Sequence, residues 1–237
     1  MMNKKYFIVK FIIFVLLITL PKHAFSTGAC CVIGKGAANK FAISLAVSMA
    51  QNHENLDNEV YNLSQYAMIG KFNYPLFQNF VLQAQAGIPV QTSLEHHQGQ
   101  EFSGNSGFNL GISAGYVLPN VVDDLEFFLL AGYSFAKSYL NKENENEFKQ
   151  DMDVSEFQAV LIGEYKVNSD LYLIAGVRLY GSKIDLKNNL ATKRGSHLGS
   201  LGYLIGLRFS FTDNFDLSIE SGFGHTNLGS VGLMYYL

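Results

Sequence analysis

The chain has 237 residues, 48% of them hydrophobic and 16% charged, with a mean hydropathy of +0.10. Its 17 basic residues against 20 acidic, without a dense Lys/Arg patch, argue against nucleic-acid or anionic-lipid binding as the main role. Composition leaves a soluble domain and a thinly apolar membrane protein both open, and the order of the residues decides between them.

Lys4, Lys5 and Lys10 precede an apolar run from Phe11 to Leu20, followed by Pro21 and the small residues Ala24 and Ser26. This is the layout of a secretory signal peptide over residues 1–26, with cleavage expected after Ser26. The run is short for an anchor, since crossing a core ~30 Å thick takes roughly 20 apolar residues. Losing Lys4, Lys5, Lys10 and Lys22 leaves 13 basic residues against 20 acidic, a net of −7. Residues 27–39 then read as a flexible periplasmic arm carrying Cys30 and Cys31, the only cysteines. Adjacent Cα atoms lie ~3.8 Å apart, closer than the ~4.4–6.8 Å a disulfide usually needs. Intermolecular pairing, soft-metal binding, redox chemistry, or lipidation at Cys30 after Thr27, Gly28 and Ala29 are the readings left for that pair.

From residue 40 the period is two. Phe41, Ile43, Leu45, Val47 and Met49 alternate with Ala42, Ser44, Ala46, Ser48 and Ala50, which is strand periodicity. The same alternation predicts strands over 40–50, 60–73, 79–91, 107–118, 125–139, 154–167, 171–185, 198–211, 215–225 and 229–237. One face is bulky and apolar and the other mostly Gly, Ala, Ser, Asn and Gln, as in Phe108, Leu110, Ile112 and Ala114 against Asn109, Gly111 and Ser113. A soluble sandwich hides its large residues and shows charge outside. A continuous large apolar face opposite a small polar one fits a transmembrane antiparallel up-and-down β-barrel of about ten strands, eight being the alternative count.

Short turns are expected at 74–78, 119–124, 168–170 and 212–214, and longer polar outer loops at 51–59, 92–106, 141–153 and 187–197, the usual asymmetry of such barrels. An even strand count puts both termini in the periplasm. Residues 40–237 therefore form the barrel, and the predicted location is the bacterial outer membrane.

Over these residues the chain resembles the small outer-membrane barrels of the opacity-protein and outer-membrane-protein-A transmembrane-domain type. The alternating end Val231, Leu233, Tyr235 and Leu237 is similar to the terminal strand that barrel-assembly machinery recognises in that group, with Leu237 where the family usually has Phe. Asn73, Tyr74, Pro75, Leu76 and Asn79 resemble one of its turns. The resemblance implies outer-membrane lipids and the assembly machinery as partners, with Tyr235 and Leu237 as the assembly signal.

Parity points Lys71, Glu126, Glu156, Glu164, Lys166, Arg178, Arg208 and Glu220 into the lumen, most of them toward the periplasmic end. An unpaired buried charge costs several kcal/mol, so Lys71, Glu126, Glu164, Lys166, Arg178, Arg208 and Glu220 are expected to form a paired network that plugs the barrel. An open porin is not expected, because water-filled channels use roughly 16–18 strands.

The most enzyme-like fragment is His225, Thr226 and Asn227, which resembles the histidine, serine and asparagine run of outer-membrane lipid A deacylases, with Thr226 in place of serine. It implies a general base beside a hydroxyl near the outer leaflet; the alternative is a polar hairpin tip. His96 and His97, with His53, Glu95 or Glu101, could ligate a metal, but they read better as a solvated loop. The expected function is that of a non-enzymatic barrel with no cofactor or metal, whose loops meet host or envelope proteins. A lipid A hydrolase using His225 and a narrow solute channel are the alternatives.

Overall fold

The computed structural model describes residues 40–122, 124–142, 145–188, 191–224 and 226–237. Ten strands close into one antiparallel barrel: β1 (Ala42–Leu56), β2 (Glu59–Phe77), β3 (Phe80–His96), β4 (Glu101–Val122), β5 (Leu125–Lys142), β6 (Glu145–Lys166), β7 (Leu171–Lys187), β8 (Thr192–Thr212), β9 (Phe215–Gly224) and β10 (Thr226–Tyr236). Each strand pairs with its chain neighbour, and β10 closes on β1 from Ala42↔Tyr236 to Asn52↔Thr226. Closure leaves no strand edge unpaired, the condition for sheet to stand in lipid.

The alternation holds along the wall. On β1, Ala42, Ser44, Ala46 and Ser48 are buried while Ile43, Leu45 and Val47 are about half exposed. On β7 the outward run is Leu173, Ala175, Val177, Leu179 and Gly181, and then turns abruptly to Lys183, Asp185 and Lys187. The same change comes after Phe135 on β5, below Ser155 on β6 and above Met49 on β1. The outward apolar belt is thus roughly 11 residues tall per strand, matching the ~9–11 that cross a bilayer at a tilt.

The predicted long outer loops are a correction. Residues 51–56, 92–96, 101–106, 145–153 and 192–197 are strand, so the wall rises above the belt and turns in a few residues. Asp57 and Asn58, both at positive φ (49° and 68°), make the two-residue turn between β1 and β2, the conformation that Asn and Asp tolerate best. At the opposite end the turns are short as expected. Asn168 Oδ1 there accepts from the backbone N–H groups of Asp170 and Leu171, at 2.9 and 3.0 Å.

The hairpin β9–β10 is the short one, stopping at Gly224 and Thr226. Above it β1 meets β8 directly: Asp57 N–H donates to Arg194 O at 3.0 Å. A side chain at Gly195 would strike Leu56 and the Asn55 carbonyl. The wall therefore has ten strands inside the belt and only β1–β8 above it.

Candidate functional site

The lumen is filled in layers. Near the end with the short turns, Arg208 Nε donates to Glu164 Oε1 at 2.6 Å and its Nη1 to Asp216 Oδ2 at 2.7 Å. Tyr236 Oη donates to the same Asp216 oxygen at 2.6 Å, and the guanidinium stands 3.9 Å over the Tyr172 ring. Arg208, Glu164 and Asp216 are all 5% exposed or less. One cation thus serves two buried carboxylates through short charge-assisted bonds, and the planar fork of arginine suits that geometry.

The other predicted lumen charges lie at several places. Glu126 is directly opposite Glu164 on the neighbouring strand. Arg178 is buried at mid-height, away from Arg208; its Nη2 donates to Thr226 O at 3.3 Å and the group lies 4.6 Å from the Tyr180 ring. Lys71 and Glu220 are buried, and both, like Glu126, have interaction partners. Lys166 is exposed at the end of β6, beyond the covered part of the wall, so it does not belong to the buried group. Asp216 and Tyr236 join the cluster without being among the expected lumen charges, although Asp216 shares the parity of Glu220.

Long lumen side chains need room, and glycine on the neighbouring strand supplies it. A Cβ at Gly202 would come within 3.8 Å of the Arg178 guanidinium, and one at Gly111 would meet the Gln85 side chain at 2.7–2.9 Å. Amides and hydroxyls fill the wall between: Gln83 donates to Asn73 at 2.8 Å, Ser113 to Gln83 at 3.1 Å, and Gln65 to Thr92 and Ser138 at 3.2 and 3.1 Å. Beside Glu220 and Ser48 a void of about 10 Å³ remains, about the room of one water molecule.

Above the belt the interior turns mostly apolar, with Glu54 and Gln150 also buried there. Leu56, Leu63, Leu94, Phe102, Leu140, Met152 and their neighbours Val154, Ile184 and Leu186 form one buried cluster. Glu59, Tyr61, His96 and Lys193 cap it. Lys193 Nζ donates to Glu59 at 2.5 Å and to Tyr61 Oη at 2.9 Å. These bonds from Lys193 and Tyr61 hold the Glu59 carboxyl below its ordinary range. His96 Nε2 lies 3.0 Å from Glu59, and its Nδ1 accepts from the Gln98 N–H at 3.3 Å. Both ring nitrogens are therefore held in the cap.

The sequence-predicted metal candidates are not brought together: His96 points inward, while His53 stands on the exposed side against Asn62. Among the described residues no group of three or more His, Cys, Asp or Glu could hold a metal ion. Thr226 is buried, facing the lumen instead of the outer leaflet. Tyr235 and Leu237 face outward and are exposed. His225, Cys30, Cys31 and the signal segment lie outside the described residues.

No family model matches the sequence, and no curated protein does. Solved structures match over nearly the whole chain. The outer membrane protease OmpT from Escherichia coli is 12% identical, with TM-score 0.54 over 90% of this chain and 100% of that one. The transport unit of the autotransporter AIDA-I from Escherichia coli gives 10% identity and 0.51, over 94% and 97%. The translocator domain of the autotransporter NalP from Neisseria meningitidis gives 11% and 0.50, over 98% and 96%. The fold is that of a small outer-membrane β-barrel. Identities this low carry the fold of such barrels and not their activities. The count of ten strands sets aside the eight-strand alternative.

Proposed function

We propose that the protein is a non-enzymatic integral barrel of the bacterial outer membrane, closed to solutes, with the wall above the belt as its surface for host or envelope proteins. The observation that carries this reading is the filling of the lumen by two unlike stoppers in series. The lower is the Arg208, Glu164, Asp216 and Tyr236 cluster, and the upper the apolar cluster around Leu94 and Leu140. Ions crossing the first would have to break buried charge-assisted bonds, and crossing the second would strip their water without replacement.

The test is conductance of the refolded protein in planar bilayers. Wild-type protein is expected to give no discrete steps. Regular steps would replace the closed-barrel reading by the narrow channel. The hydrolase alternative is tested separately by comparing lipid A from wild-type and His225→Ala cells: an acylation difference would overturn the non-enzymatic reading.

A further inference from the structure

On the outside of β5–β8, at the top of the apolar belt, lies an open groove of about 780 Å³. Its apolar walls are Tyr133, Phe157, Leu179 and Leu198, and its floor runs past Gly181 and Gly199. The groove has a structural origin. β8 must bend over the tip of the short β9–β10 hairpin, and it does so through an irregularity opposite Tyr180 and Ser182. Gly199 takes φ +76° there, a backbone that favours glycine. Leu198 is thrown outward to 89% exposure, the largest among the described hydrophobic side chains. An apolar side chain so bare, at the edge of a lipid-facing belt, gains by contact with hydrocarbon.

Directly above the groove the wall is charged in an uneven way. Lys137, Lys183, Lys187 and Arg194 stand with Asp151, Asp153 and Asp185 on the upper outward face of β5–β8. On β1–β4 the corresponding face carries Gln51, His53, Asn62, Gln91, Glu95 and Glu101, with no lysine or arginine among the described side chains. The chain is acidic as a whole, yet above the belt the outward cations among the described side chains gather over this one groove. Lys183 is the first charge above the apolar run of β7. It is 60% exposed and 3.4 Å from Asp185, and Arg194, 70% exposed, is 3.7 Å from the same carboxylate. Such exposed pairs are weak and exchange readily for a phosphate.

We infer that this groove seats an acyl chain of a phosphorylated outer-leaflet lipid, with Lys183 and Arg194 meeting its phosphate. The inference rests on the outer-membrane placement proposed above. Hydrocarbon lies against Phe157, Leu179 and Leu198, while Ser155 and Ser196 line the polar end of the groove at the level where the headgroup begins.

The experiment is native mass spectrometry of the refolded protein in zwitterionic detergent, offered bisphosphorylated lipid A, phosphatidylglycerol or phosphatidylcholine. Wild-type barrel is expected to retain lipid A preferentially. Ser155→Trp, which fills the groove, and Lys183→Glu, which reverses its charge, are expected to weaken retention roughly tenfold each. Leu45→Trp, on the lipid-facing side of β1, is expected to leave it unchanged. Equal retention by all the variants, or retention of phosphatidylcholine or phosphatidylglycerol as strong as that of lipid A, overturns the site. Heat-modifiable migration on SDS gels, run on every variant, separates the two levels: a chain without it overturns the membrane placement and this site together. A heat-modifiable wild-type barrel that retains no lipid A overturns the site alone.

Discussion

The barrel within the belt and the barrel above it obey the same two-residue period with opposite polarity. Within the belt, Leu173, Val177 and Leu179 face out, and Arg178 and Arg208 are buried inside among amides, hydroxyls and small residues. Above it, on the same β7 strand, Lys183, Asp185 and Lys187 face out while Ile184 and Leu186 are buried in an apolar core. The surroundings set the sign. Where the outside is hydrocarbon, the bulky residues need no interior, and the lumen can hold charge if it is paired. Where the outside is water, the interior is the only dry place, and the wall packs as a soluble barrel does.

That contrast can be broken from the bottom up. The largest effect is expected from Arg208→Ala, which strands Glu164 and Asp216 in the wall: a loss of about 3–5 kcal/mol, read from urea unfolding in lipid vesicles. Leu140→Ala in the upper core is expected to cost about 2–4 kcal/mol by transfer and cavity terms. The loss should be the same in bilayers of different thickness, because that core stands clear of the lipid; a loss that tracks thickness would return it to the belt.

The smallest effect, and the sharpest in sign, concerns Glu54. It lies above the belt, between the outward polar residues His53 and Asn55, and is buried against Asn52, which donates to it at 3.1 Å. Burial, offset in part by the Asn52 bond and reinforced by Glu156, raises its carboxyl from 4.5 to about 7. The folded state therefore holds a proton that the unfolded chain releases near pH 4.5. Stability from this group is present below that pH and is lost as pH rises toward 7. Glu54→Gln is expected to flatten this slope and to stabilise at pH 8 by about 1–3 kcal/mol, with little change at pH 4. Parallel pH profiles of variant and wild type would remove the argument.

Within the belt the sequence was readable, because eleven residues of strict alternation leave little choice of element or face. The extension was readable only in part: the predicted strands stop at Val154 and Asp185, because the outward residues Asp151, Asp153 and Lys187 are those of a loop. The signal was nonetheless present in Met152 and Val154, and in Ile184 and Leu186, which alternate with those charges; a polar stretch with apolar residues every second place is a strand facing water. In the lumen, parity marks Arg208 and Glu164 but not Asp216, which sits next to a turn, or Tyr236, which stands between the outward Tyr235 and Leu237. Lys166 failed for a related reason: pointing inward means burial only where the wall continues beyond the residue.

The early stop of β9–β10 gives the barrel a mechanical property. The seam where the two ends of the chain meet is zipped below by the β1–β10 ladder. Above the hairpin tip it is clasped a second time, where Asp57 reaches Arg194. Parting β1 from β10 therefore opens only a slit roofed by that clasp, and a sideways gate through this seam would have to unfasten both.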